Sequence, residues 1–164
     1  MNDKDFILYV RNFIFGAEDS LVSTVGLLSG IVSAGVLQKE VIISGVVLIS
    51  VEAFSMSVGS FLSEKTTEEF YSGFRERKSK SIPAAIVMFL SYLICGFIPL
   101  FPYFIFSREQ AFWWSILASL SALFLVGFTS AKILKTNILK NSFRMMIIGG
   151  LAIILGVVVG IVIK

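Results

Sequence analysis

The chain has 164 residues, of which 56% are hydrophobic and 15% charged, with a formal net charge of +3, one cysteine and no histidine. An apolar share this large, gathered in blocks instead of alternating with polar residues, excludes a soluble globular domain. One cysteine excludes an intramolecular disulfide framework, and the small positive charge requires no nucleic-acid partner, because most lysines and arginines fall between the blocks, where they set membrane topology.

Residues 5–15, "DFILYVRNFIF", put Phe6, Val10, Phe13 and Ile14 on one helical face and Asp5, Arg11 and Asn12 elsewhere. That pattern predicts a short interfacial helix on the cytoplasmic leaflet, with no cleavable signal peptide before it. A first span over 17–38 begins with two adjacent acids, Glu18 and Asp19, and carries Gly26 and Gly30 in GxxxG spacing. The second span, 41–63, is interrupted by Glu52 alone, and Ser55, Gly59 and Ser63 recur in it every four residues. Residues 64–80 form a cytoplasmic connection. It is expected to extend the second helix to Ser72–Gly73, turn, and finish in a basic stretch (Arg75, Arg77, Lys78, Lys80) against anionic lipid.

The third span, 81–107, contains Pro83, Pro99 and Pro102 and is expected to bend or break near its outer end. The fourth, 110–131, opens on Trp113 and Trp114, read as interfacial anchors. The fifth, 145–163, carries Gly156 and Gly160. Cys95 reads as a small apolar filler. Runs of about 20 apolar residues match a hydrocarbon layer of about 30 Å at about 1.5 Å per helical residue. Backbone amides in lipid must bond internally, and the roughly ten-residue alternation of a barrel is missing. The fold class is therefore an all-α integral membrane protein, a single domain of five transmembrane helices over 1–164. The placement of lysine and arginine puts the N-terminus in the cytoplasm and the C-terminus outside.

Glu52 is the sharpest feature. A charged side chain at mid-membrane costs at least about 2.5–3.5 kcal/mol, and no lysine or arginine within the five runs offsets it. It is either a protonated acid bonded to a neighbouring helix or a site visited by a cation or proton. Met56 lies one turn on and Ser60 continues that face. A carboxylate oxygen beside a thioether suits a first-row divalent ion better than magnesium or calcium. Asp19 is either a helix cap or surface acid, or, if the first two helices pack together, part of the same lumen. Glu18 points about 100° away from Asp19 and is secondary. Glu64 and Glu68 share a face below the second span, with Glu69 beside them, either as solvated acids or as a cation-gathering entrance. Gly26, Gly30 and Gly59 are read as helix-packing positions.

At these residues the chain resembles a known family. "FGAEDSLVSTVGLLSGIVSAG" is similar to the first-helix signature of the vacuolar iron transporter family, "G-x-x-D-G-L-V-S/T-T-x-x-L-x-x-G". "VEAFSMSVGSFLSEKT" is similar to its second-helix signature, "S-M-x-x-G-E-Y-x-S". The resemblance covers residues 11–66 and implies a homodimer whose first two helices line a path at the two-fold axis. It further implies export of iron(II), and of manganese(II), from the cytosol in exchange for protons, with Asp19 and Met56 at the family's aspartate and methionine positions. Two positions depart from the signatures: Ser20 replaces a glycine, and Ser60 replaces a glutamate, which removes one oxyanion. Only about twenty residues stand where plant members carry a glutamate-rich metal-binding domain.

The function expected from residues and resemblance together is a dimeric divalent-metal/proton antiporter with path residues Asp19, Glu52 and Met56. The metal is cargo and no resident cofactor is expected; the partners are a second copy, the lipid bilayer, divalent metal ions and protons. The alternatives are a non-transporting membrane metal-binding or sensor protein, a structural dimer, or a transporter of another cation. No nucleophile–base pair, cofactor motif or ATP-binding loop points to an enzyme. The expected location is a prokaryotic cell membrane, or a vacuolar-type membrane in a eukaryote.

Overall fold

In lipid, an unbroken apolar sequence satisfies its backbone by coiling on itself. The computed structural model, which describes residues 3–72 and 79–164, does this six times among those residues. The helices are α1 (Asp3–Ser33), α2 (Gln38–Ser72), α3 (Ser81–Leu100), α4 (Pro102–Ile105), α5 (Arg108–Ile133) and α6 (Ile138–Ile163). All but the single turn α4 are long and apolar enough to cross a membrane. The protein is an all-helical membrane protein of five spans.

Helix α1 is the hub. It packs along α3 and α6 and also touches α5 and α2, whereas α2 leans chiefly on α3. Half of the spanning window of α1 is buried, against 22% for α2 and 17% for α6, so α2 and α6 form the edges of the bundle. Two apolar clusters hold it together, one around Leu28, Ile49, Leu100 and Tyr103 and one around Leu21, Cys95, Leu123 and Met145.

The contact of α1 with α6 is made by glycine. A Cβ built on Gly156 or Gly160 would run into the carbonyl oxygens of Gly26 or Gly30, and one on Gly30 would lie 2.9 Å from the Gly156 oxygen. Helices in lipid gain no hydrophobic energy by meeting, so backbone approach of this kind supplies the dispersion contact.

Several boundaries differ from those read in the sequence. Residues 5–15 are not a separate interfacial helix but the first turns of α1, which runs without interruption through Gly16. At Gly16 it passes so close to α3 that a side chain there would strike Ser91 and Met88. Asp19 therefore lies mid-helix, not at the start of a span, and caps nothing. The run 81–107 divides into α3 and α4 at Phe101, between Pro99 and Pro102, with Ser115 Oγ donating to the Pro99 carbonyl at 2.7 Å. Helix α6 begins seven residues before the expected 145, because Asn137 caps it by accepting from the Lys140 amide at 3.1 Å and the polar turn that follows still coils. The turn at Gly73 and the basic residues Arg75, Arg77 and Lys78 lie outside the described residues.

One end of the bundle gathers Arg11, Lys65, Lys80, Lys132, Lys135, Lys140 and Arg144, and the other has Lys39, Arg108 and Lys164. At the basic end Lys80 Nζ stands 3.3 Å from Asp5, and Glu68 accepts from the Lys80 amide and from Ser79 Oγ at the start of α3. At the opposite end Gly35 turns the chain at φ +86°, a left-handed value that favours glycine. Arg108 Nη1 donates there to the carbonyls of Gly35 and Val36 at 3.1 and 3.0 Å.

Candidate functional site

Toward the basic end α1 and α2 face each other along one seam through polar side chains, whereas farther along Leu28 and Ile49 share an apolar cluster. The rungs run inward from the basic end. Arg11 pairs with Glu64. One step deeper, Ser60 Oγ donates to Asn12 Oδ1 at 2.5 Å, while Asn12 Nδ2 donates to the Leu8 carbonyl at 3.0 Å; Asn12 is 4% exposed. Deeper still, the buried Tyr92 hydroxyl of α3 donates to Glu52 Oε2 at 2.5 Å and lies 2.7 Å from Ser23 Oγ on α1. Ser20 Oγ donates to the Tyr92 carbonyl at 2.6 Å, tying α1 to α3 at the same level. Gly96, one turn along α3, lets the three helices converge: a Cβ there would sit 2.7 Å from Ser20 Oγ and 2.8 Å from Ile49.

Asp19 belongs to this seam. The charge of Glu52 acts on it across the seam, and among the described residues Asp19 takes no hydrogen bond or ion pair. Met56 is part-buried, one turn from Glu52 toward the basic end, which the antiparallel rungs place level with the turn just before Asp19. Asp19, Glu52 and Met56 therefore occupy one side of a shared seam, with Tyr92 holding Glu52 in place.

The secondary candidates separate. Glu18 turns away from the seam into a different cleft, where Arg144 of α6 attracts its carboxylate. Ser60 is on the seam and bonded to Asn12. Glu64 and Glu68 both have protein partners, Arg11 for the first and the start of α3 for the second. Gly26 and Gly30 face α6 within the chain, whereas Gly59 faces outward with nothing within 4 Å of a built Cβ.

Tyr92, Asn12 and Arg144 are the residues that reading the sequence overlooked. Asn12 carried a weak signal, an uncharged polar residue beside Arg11 in a segment that is otherwise mostly apolar. Tyr92 carried none, since a tyrosine in a span reads as packing until its neighbours are known. Among the described residues of one chain no cluster of three or more histidine, cysteine or acidic side chains could hold a metal ion.

A five-span helical bundle with acidic side chains at mid-helix on α1 and α2 defines a polytopic membrane protein. The sequence pattern of the VIT family matches residues 10–82 and 72–161, and the chain belongs to that family. It is similar to Vacuolar iron transporter 1 of Tulipa gesneriana, with 22% identity over 203 aligned positions covering 87% of this chain and 82% of the relative. It is likewise similar to Vacuolar iron transporter 1 of Arabidopsis thaliana, at 21% identity over 87% of this chain and 81% of the relative.

Proposed function

We propose that this protein is a membrane transporter of divalent metal, iron(II) and manganese(II), moving the ion away from the basic, cytoplasmic end in exchange for protons. The observation that carries the reading is that Asp19 and Glu52 act on each other across the seam, with Asp19 taking no hydrogen bond or ion pair among the described residues. Two like charges held together away from water are relieved only by a guest of positive charge, either protons or a cation. An entering metal ion displaces the protons, and a proton gradient then drives its release, a coupled titration of the pair as a unit.

The donor count supports a second copy. One chain offers two carboxylates and a thioether at the seam, fewer than the about four to six donors a first-row divalent ion takes. A two-fold dimer doubles the set. The small-residue stripe of α2 supports that assembly, since Ser55, Gly59 and Ser63 are exposed near the Glu52 side of the helix and Gly59 has open space before it. In this arrangement Tyr92 orients Glu52, and the Arg11–Glu64 pair stands at the cytoplasmic mouth.

A second reading, a membrane metal-binding protein without flux, draws on one observation: the Tyr92 hydroxyl already occupies one oxygen of Glu52. Reconstitution into proteoliposomes with a metal panel separates the two. Time-dependent, gradient-driven uptake of iron(II) or manganese(II) supports transport; saturable binding with no accumulation supports the second reading. Uptake confined to another cation would retain the path and change its cargo.

A further inference from the structure

On the side of α1 opposite the acid seam, the start of α1, the end of α5 and the start of α6 enclose a cleft of about 580 Å³. That volume lies in the range of about 300–1,000 Å³ typical of ligand sites. Its wall is apolar, including Ile14, Phe15 and Leu134, and its rim carries Arg11, Lys140 and Arg144, with Glu18 within. Arg11 is already paired with Glu64, and Glu18 faces Arg144. Lys140 has no ion pair among the described residues, so the rim keeps an uncompensated positive charge.

The helix direction adds to this. Lys140 and Arg144 stand in the opening turns of α6, which has no acid in its first turn. The amino end of a helix carries a partial positive charge that ordinarily attracts acids, and the Lys140 ammonium in that first turn adds to it, so an anion near Lys140 is favoured. The cleft opens at the basic end of the bundle, where a membrane surface presents phosphate above hydrocarbon.

We propose that this cleft binds an anionic phospholipid, with the phosphate group held by Lys140 and Arg144 at the α6 amino end and the glycerol and upper acyl carbons lying on Ile14, Phe15 and Leu134. The apolar wall favours a lipid over free phosphate, which would leave that wall uncovered. The site stands apart from the transport reading, because Lys140 and Arg144 and the apolar wall lie off the seam; only Arg11, already paired with Glu64, borders both.

Native mass spectrometry of the full chain, delipidated and then given phosphatidylglycerol or phosphatidylcholine, tests it. Phosphatidylglycerol is expected to be retained several-fold better. Lys140→Gln should lower that retention about fivefold, a typical effect of one basic residue at an anionic surface, and Lys140→Gln with Arg144→Gln should remove the preference. Lys132→Gln, which deletes the same charge outside the cleft, should change nothing. A thermal melt of each variant checks that it remains folded, and Lys140→Gln alone decides the matter if the double variant does not fold. Equal retention of the two lipids, equal loss in Lys132→Gln, or unchanged retention in Lys140→Gln overturns the proposal. So does inorganic phosphate at millimolar concentration displacing the phosphatidylglycerol, which would make the occupant a soluble anion.

Discussion

Two stripes of small residues run through this protein, and they end in opposite surroundings. Gly26 and Gly30 of α1 meet Gly156 and Gly160 of α6 so closely that no side chain fits between the backbones. Gly59 of α2, at the same four-residue spacing with Ser55 and Ser63, meets nothing within 4 Å. The first stripe closes the bundle, and the second lies on an edge helix whose exposed valines and phenylalanine face away from it. Spacing identifies a surface suited to close approach, but only the packing of the other helices shows whether the chain itself fills it. The unfilled stripe lies on the same helix as Glu52 and Met56, which is where a second copy would have to sit to complete a metal site.

The contrast can be broken from either side. The largest effect is expected from Gly156→Leu, which forces side-chain atoms into the Gly26 carbonyl. Overpacking costs about 1–3 kcal/mol, and with backbone as the obstacle the loss should reach the top of that range, read as a lowered melting temperature in detergent. Gly59→Leu should leave the melt of the monomer within about 0.5 kcal/mol, as at a surface position, yet shift the proposed dimer toward monomer in light-scattering chromatography. Equal damage from both substitutions would erase the distinction between the stripes. Tyr92→Phe removes the donor to the part-buried Glu52 at a cost of about 1 kcal/mol, and should slow metal uptake several-fold without abolishing it. Arg11→Gln is the mildest: Arg11 is 65% exposed, and such pairs contribute about 0–1 kcal/mol, so uptake should change at most modestly.

The five spans were legible because lipid imposes length and composition on each helix separately, with no need to know its neighbours. The continuity of α1 was not legible. Glu18 and Asp19 look like the edge of a span when each residue is assigned to water or lipid, yet in the bundle one turns to the α2 seam and the other to Arg144, 126 positions later in the chain. Their adjacency concealed that they serve two different surfaces. Asp19, Glu52 and Met56 could be picked out because an acid in an apolar run has few explanations. Tyr92 could not, because its role depends on the level at which α3 crosses α1 and α2, which the residues of α3 alone do not encode. Glu64 and Glu68 show the reverse: acids that suggested a cation entrance were matched by partners from distant segments.

The decisive measurement compares the parent chain with Glu52→Gln in proteoliposomes holding a pH-sensitive dye, following iron(II) uptake and proton movement together. The amide keeps an oxygen for the Tyr92 hydroxyl, so the fold should persist. If the acid seam carries the ion, metal accumulation and the opposing proton flux should fall together by at least tenfold. Undiminished iron(II) uptake with normal proton exchange would show that the ion travels elsewhere.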